Sequence, residues 1–251
     1  MAKQKGIIKL KGTIDDISFY KSQDGFLARA KGGVDGSRIA NDPAFQRTRE
    51  NGSEFGRAGK AGKILRTSIR ALIQNASDSR MVSRLTRDMV KVIQADATNP
   101  RGLRNVIDGE VELLEGFEFN IRGKLGTTFF APLNNTIDRV TGKLSANIAS
   151  FIPTNMVAAP SGSTHFKINS AGAEIDFENE TFVVETQETA QLPLDNVPTA
   201  VVNLVSSITP NSIHPLFLAV GIEFYQEVNG VKYPLKNGSY NALALVKVSG
   251  L

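Results

Sequence analysis

The hydrophobic residues at the start of the chain follow the period of a β-strand. Ile8 and Leu10 alternate with lysines, as in a strand with one apolar face. The turn-forming pair Asp24-Gly25 then separates two short apolar runs. Residues 6–31 are therefore predicted to form a β-hairpin or a small sheet. The segment that follows, GGVDGSRIAN, has the composition of a linker.

From residue 42 onwards the apolar period becomes helical. Asp42 is a suitable N-cap and Pro43 a suitable first helical residue, so a helix is predicted from there to about Gln74. Its predicted inward face consists of Phe55, Gly59, Gly62, Leu65, Ile69 and Leu72 or Ile73. A second helix is predicted over about 79–95, and its inward residues are Met81, Leu85, Met89 and Val92 or Ile93. Two such helices joined by a short loop form an αα-hairpin.

Pro100 and Gly102 end the helical part, and the chain is β-like from there to its end. Short strands are predicted around 110–119, 125–131, 142–152, 164–168, 173–177, 181–187, 200–206, 216–227, 231–235 and 240–248. Asn229-Gly230 is the strongest hairpin signal. The predicted fold class is α+β, with an N-terminal β-hairpin arm, a two-helix hairpin and a C-terminal antiparallel β-sandwich of immunoglobulin-like or jelly-roll type. The predicted domains are residues 1–104 and 105–251.

Charge is divided unevenly between these two parts. Residues 1–104 contain 21 Lys+Arg and 10 Asp+Glu, a net +11, whereas residues 105–251 contain 8 and 15, a net −7. A basic half indicates an anionic partner, which is a nucleic acid, a membrane surface or the acidic half of another copy. The alternative is a chance imbalance between two solvated surfaces.

The stretch FGRAGKAGKILR, residues 55–66, combines glycines with basic residues. It does not match a phosphate-binding P-loop, because neither Gly-Lys pair is followed by Ser or Thr. In a helix, Gly52, Gly56, Gly59 and Gly62 together lose roughly 4 kcal/mol against alanine. A closely packed helix, strand or neighbouring subunit is therefore expected against them. The alternatives are an extended or hinged arm over residues 47–56, or a loop before a helix that starts near Ala58.

Basic residues recur every three or four positions along both predicted helices. The candidates for contact with another subunit or with phosphate groups are Arg57, Lys60, Lys63, Arg66, Arg70, Arg80, Arg84, Arg87 and Lys91. On a nucleic acid they would contact the backbone without sequence preference. Base stacking is not expected, because Phe45 and Phe55 are the only aromatic residues between positions 40 and 105. The alternative is that these basic residues only form the solvent-exposed faces of the two helices.

Composition argues against several classes of protein. The chain contains no cysteine, so disulfides and Cys-type zinc sites are excluded. The sequence has no G-x-S-x-G motif to mark a catalytic serine, and it has no EF-hand spacing for calcium. Its two histidines, His165 and His214, are predicted to be structural. We therefore expect no enzyme activity, no catalytic residue, no cofactor and no metal. The start MAKQKGIIKLKG lacks the apolar run of a signal peptide, and no segment is apolar enough for a transmembrane helix, so a cytoplasmic or particle-bound protein is expected.

The runs KGTIDDISFYKSQDGFLARAKGG and NDPAFQRTRENGSEFGRAGKAGK resemble the start of an uncharacterised protein family of flavobacterial type. The resemblance covers about the first 110 residues. It implies a bacterial, phage-derived origin, and it brings no activity, cofactor or residue role with it.

These observations predict a non-enzymatic structural protein that self-assembles into a filament, a shell or a phage-like particle. The basic part of one copy would meet the acidic part of the next in a head-to-tail contact. In that contact Arg57, Lys60, Arg84 and Lys91 would face acidic positions such as Glu110, Glu112, Glu178 and Glu180. One alternative is a protein that binds nucleic-acid backbones through the basic helices. A second is a ligand-binding β-sandwich for carbohydrate or peptide, which rests on fold analogy.

Overall fold

The computed structural model describes residues 2–30 and 32–250, and the chain forms two compact units, Met1–Arg49 and Glu50–Leu251. The α+β fold class is confirmed. The division differs from the predicted domains 1–104 and 105–251. The physical reason is a shared core: helical residues Leu65 and Met89 belong to the same hydrophobic cluster as Phe217 and Leu245 of the following sheet.

The N-terminal unit contains an antiparallel sheet in the order β1-β4-β3-β2. Its strands are β1 (Ala2–Lys3), β2 (Gly12–Ile14), β3 (Ile17–Ser22) and β4 (Gly25–Ala30). The predicted hairpin is confirmed, but its two-residue turn is Gln23-Asp24, one position before the predicted pair Asp24-Gly25. Gly25 begins β4 at a φ of 106°, which residues with a side chain rarely adopt. Residues 4–11 lie outside every strand, so the alternation at Ile8 and Leu10 does not produce a strand within this chain.

The predicted linker ends in a short helix, α1 (Gly36–Asn41), and a 3₁₀ turn follows at Pro43–Phe45. Asp42 caps this turn as predicted, since its Oδ1 accepts a 2.9 Å hydrogen bond from the backbone N–H of Ala44.

The helical layer consists of α2 (Gln46–Ser68), α3 (Arg70–Ile73) and α4 (Met81–Gln94). Helix α2 starts at Gln46, so the alternatives of an extended arm over 47–56 and of a loop before Ala58 are both wrong. Phe55, predicted to point inward, is 61% exposed, and Glu54 is buried instead. The predicted inward face of α4 is confirmed by its buried residues, which are Met81, Leu85, Met89, Val92 and Ile93.

The described residues after α4, up to position 250, form nine strands and two short helices. The strands are β5 (Leu133–Asp138), β6 (Lys143–Ile148), β7 (His165–Asp176), β8 (Thr181–Glu188), β9 (Leu192–Pro193), β10 (Val202–Ser207), β11 (Leu216–Val228), β12 (Val231–Pro234) and β13 (Ala242–Ser249). The helices are α5 (Leu125–Thr128) and α6 (Pro153–Met156), and 3₁₀ turns lie at Val111–Leu114 and Leu235–Gly238. The strands predicted at 110–119 and 125–131 are therefore wrong, those at 164–168 and 173–177 are one strand, and β5 was not predicted. The Asn229-Gly230 hairpin is confirmed, with φ values of 52° and 77°.

These strands form two antiparallel sheets that pack face to face. The smaller has the order β10-β6-β5, and the larger has β8-β7-β11-β13 at its centre, with β12 and β9 extending it. The order places β5, β6 and β10 where strands A, B and E lie in an immunoglobulin-like sandwich, and β7, β8, β11 and β13 where C, C′, F and G lie. Of the two predicted sandwich types, the strand order is therefore the immunoglobulin-like one.

The central strands β7 and β11 of the larger sheet are buried on both faces over most of their length. Leu218 of β11 packs with Phe166 and Ile148 in the core between the sheets, whereas Phe217 packs in the core beneath the helices. This explains why β11 is apolar almost without interruption, while β10, which has one solvated face, alternates buried and exposed residues.

Candidate functional site

The outward face of α2 carries three glycines with open space, among the described residues, where a side chain would project. A Cβ atom added at Gly52, Gly56 or Gly59 would meet no heavy atom within 4 Å outside its own helix. At Gly62 the same atom would lie 3.6 Å from Cγ of Leu85 on α4. Of the four glycines predicted to allow close packing, only Gly62 packs closely within this chain.

Several cations accompany these glycines on the helical layer. Lys60, Lys63, Arg70 and Arg80 are exposed, and none of their side chains makes a hydrogen bond or ion pair with residues 2–30 or 32–250. Arg66 is half-buried and donates through Nε to the Gly62 carbonyl of its own helix at 3.1 Å. These five positively charged side chains are available to a partner.

Two of the predicted contact residues instead hold the fold together. Arg57 donates to the carbonyl oxygens of Gly102 and Arg104 at 2.7 and 2.9 Å. Arg84 forms an ion pair with Asp78, donates to the Glu118 carbonyl at 2.6 Å and lies over the ring of Phe117. Both guanidinium groups are therefore engaged inside the unit, which sequence periodicity alone does not reveal.

Arg87 and Lys91 share one local partner. Both pair with Asp88 on the same helix, at 3.0 and 2.8 Å. In the described part of the chain, none of the nine predicted cations forms an ion pair with Glu110, Glu112, Glu178 or Glu180. The basic helices are thus not neutralised by those acidic positions of their own chain.

The structure does bring four of the predicted charges, two basic and two acidic, into a common cleft. A cleft of about 310 Å³ is lined by Arg57 and Lys60 from α2, by Phe177, and by Glu178 and Glu180 from the turn after β7. The cleft therefore contains both positively and negatively charged side chains.

A second cleft, of about 550 Å³, lies at the start of α4. Arg80, Arg84 and Arg122 line it together with Asp78. Sequence analysis missed Arg122 because this residue lies in the acidic half of the chain, far from the predicted basic helices.

The loop over residues 96–108 is fastened by two buried carboxylates that the sequence analysis did not single out. Glu54, 2% exposed, receives Nε and Nη2 of Arg104 at 2.7 and 2.9 Å and the backbone N–H of Gly102 at 2.8 Å. The Arg104 hydrogen bond lowers the pKa of Glu54 despite burial. Asp96, 4% exposed, accepts the backbone N–H groups of Thr98, Asn99 and Asn105.

The Asp96 network predicts a loss of stability in acid. Burial raises the pKa of Asp96, but the hydrogen bonds from Asn99, Asn105 and Thr98 outweigh it and lower the pKa from 3.8 to about 2. Because the folded pKa is depressed, the contribution is complete above about pH 4 and disappears as pH falls through about 2. It amounts to on the order of 2 kcal/mol, at about 1.4 kcal/mol per pKa unit.

This contribution is measured by urea unfolding between pH 2 and 6. The stability difference between wild type and Asp96→Asn should shrink as the pH falls, and Glu110→Gln, at an exposed position, is the control. A difference that stays constant over this range would show that Asp96 does not ionise as described.

The two histidines lie apart on the sandwich. His165 Nε2 is 3.5 Å from Glu227, and His214 Nε2 is 3.8 Å from Asp176. Ser212, close to His214, donates its hydroxyl to Glu174 at 2.7 Å and accepts the His214 backbone N–H. Within the described ranges, no three His, Asp or Glu side chains gather as a metal site would require.

No family model, curated protein or solved structure matches this chain. Among the described residues, no helix combines the length and apolar character that crossing a bilayer requires.

Proposed function

We propose that this protein is a non-enzymatic structural subunit that self-assembles head to tail into a filament, a shell or a phage-like particle. The observation that carries the proposal is the outward face of α2, where Gly52, Gly56 and Gly59 lie in open space beside Lys60 and Lys63, cations with no ion-pair partner among the described residues.

The three outward glycines, Gly52, Gly56 and Gly59, lower the stability of helix α2. Each interior helical glycine is about 1 kcal/mol less favourable than alanine, so the three lower the stability of α2 by roughly 3 kcal/mol. No contact among the described residues offsets this loss, because an added Cβ at each of the three positions would meet nothing within 4 Å. A helix face without side chains does allow another backbone to approach closely, and a second copy packed there would offset the loss.

The exposed cations of the helical layer favour a partner with an acidic surface. Lys60, Lys63 and Arg70 favour an acidic surface, and the chain itself carries exposed carboxylates, among them Glu110, that form no ion pair with the described residues. A basic patch that meets a different, acidic patch on the next copy forms a heterologous contact, which either closes into a ring or propagates.

Light scattering after size-exclusion chromatography tests the proposal directly. Wild type should form multimers at low salt that become smaller at high salt, because exposed charges are screened. The double variant Lys63→Glu/Arg70→Glu should weaken association at least tenfold. Lys143→Glu/Lys232→Glu has the same charge change on the sandwich and should have a smaller effect. A wild-type protein that remains monomeric at every concentration and salt would contradict self-assembly.

The same cations support a second candidate function. Lys63, Arg70 and Arg80 have no partner among the described residues, so they remain available for nucleic-acid phosphates. A mobility shift with duplex or single-stranded DNA at low salt would favour this function if the logarithm of the binding constant falls linearly with the logarithm of salt concentration. The absence of any shift at low salt would eliminate it.

A further inference from the structure

Residues 5–11 have the sequence of a strand but pair with no strand among the described residues. Ile8 and Leu10 alternate with lysines, yet this segment lies outside all strands. Its apolar side chains are strongly exposed: Ile7 is 102%, Ile8 80% and Leu10 42% accessible. Exposed, adjacent apolar residues of this kind mark an interaction surface.

The backbone of this segment is held by a side chain. Gln4 Oε1 accepts the N–H of Leu10 at 2.8 Å, and Gln4 Nε2 donates to the Leu10 carbonyl at 3.3 Å. The amide of Gln4 therefore occupies the groups of Leu10 that a neighbouring strand would use. Exchanging these bonds for backbone bonds has a small net effect, because the number of hydrogen bonds is preserved.

Strand β8 is the complementary element. It pairs with β7 along one edge, and in the described part of the chain no strand pairs with its other edge. Its sequence, TFVVETQE, contains no lysine or proline, the residues that commonly protect an edge against strand addition. Phe182 is 39% and Val183 47% exposed.

We propose that residues 5–11 of one copy add to the free edge of β8 in another copy as an extra strand. This inference rests on the proposed self-assembly and names one of its contacts. It is the β-augmentation mode of recognition, in which backbone hydrogen bonds provide affinity and alternate side chains provide specificity.

The side chains of the two segments match in polarity and charge. A pairing that places Ile8 and Leu10 beside Phe182 and Val184 places the intervening Lys9 on the opposite face, where Glu185 also lies. The turn before β8 adds two exposed carboxylates, Glu178 and Glu180. The N-terminal segment that would pair with β8 has no acidic residue before Asp15. Opposite charges beside the apolar residues favour this partner over a neutral or basic edge.

Cysteine cross-linking between two different variants tests the contact, because the native chain contains no cysteine. Leu10→Cys and Phe182→Cys are purified separately, mixed under assembly conditions and treated with a short bismaleimide. A covalent dimer of one variant with the other is expected. Val140→Cys, at an exposed position in the β5–β6 turn, replaces Phe182→Cys in the control and should give at least tenfold less product.

The outcomes separate this inference from the proposed function. If wild type forms multimers but the mixed dimer is no more abundant than in the control, strand addition is wrong and self-assembly stands. If wild type is monomeric, self-assembly itself is wrong. If the double variant Leu10→Cys/Phe182→Cys cross-links only within one chain, the strand adds intramolecularly and the proposal is overturned.

A second variant gives a readout that does not depend on cross-linking. Ile8→Asn/Leu10→Asn changes only exposed side chains, so the fold should be retained, and association should weaken at least tenfold. Association equal to wild type would contradict the proposal.

Discussion

Replacing Arg104 with methionine is expected to destabilise the larger unit by about 3–5 kcal/mol, because the substitution leaves a buried carboxylate without its countercharge. Glu54 is 2% exposed and accepts two hydrogen bonds from Arg104, so the variant leaves it only the Gly102 N–H. The pKa of Glu54 should rise at the same time, since the Arg104 hydrogen bond is the main cause of its depression. Urea unfolding at neutral pH measures the loss.

Two further variants identify the cause. Arg101→Met removes a guanidinium that is 43% exposed and 3.8 Å from Glu50, and should lower the unfolding free energy by less than about 1 kcal/mol. Glu54→Leu/Arg104→Met removes both charges and should recover most of the stability, because a buried ion pair and a matched apolar pair are often similar in energy. Equal losses for Arg104→Met and Arg101→Met would show that the buried pair contributes little.

The triple variant Gly52→Ala/Gly56→Ala/Gly59→Ala is expected to change stability and assembly in opposite directions. Each added methyl group enters open space, so α2 should gain about 1 kcal/mol per position and about 2–3 kcal/mol in total. The same methyl groups should prevent the close approach of a second copy and abolish the multimers. Denaturant unfolding of dilute protein measures the first effect, and light scattering measures the second.

Gly126→Ala is the matched control for this experiment. Gly126 lies in helix α5, also with nothing within 4 Å of an added Cβ, so its substitution should leave association unchanged. A triple variant that is more stable and still assembles like wild type would remove the outward face of α2 from the proposed contact.

For helix α2, the sequence predicted the element but not all of its buried residues. The helix was predicted, and so was the capping role of Asp42, which caps the 3₁₀ turn before α2. Phe55, however, was assigned to the inward face, and Glu54 was not considered. Hydrophobic periodicity assumes that buried positions are apolar, and this assumption fails where a buried charge has a partner. That partner, Arg104, lies 50 positions further along the chain, beyond the range of any helical period.

For the proposed contact surface, the sequence likewise predicted the residues but not which of them have a partner within the chain. The nine cations and four glycines were all recognised in the sequence, but periodicity could not distinguish Lys63, which has no partner among the described residues, from Arg84, which is engaged by Asp78 and two backbone carbonyls. Their difference depends on the segment at Glu118 and Phe119 that packs against α4.

The sequence by itself determined the local elements: the β3–β4 hairpin to within one residue of its turn, the hairpin at Asn229-Gly230, the inward face of α4 and the antiparallel character of the C-terminal half. Each of these depends on residues within one turn or one strand, where backbone geometry and burial act over short distances. Only the tertiary structure decided that the helices and the sandwich share one core, which cations are engaged and which helix face is left uncovered, because burial and ion pairing depend on residues far apart in the chain.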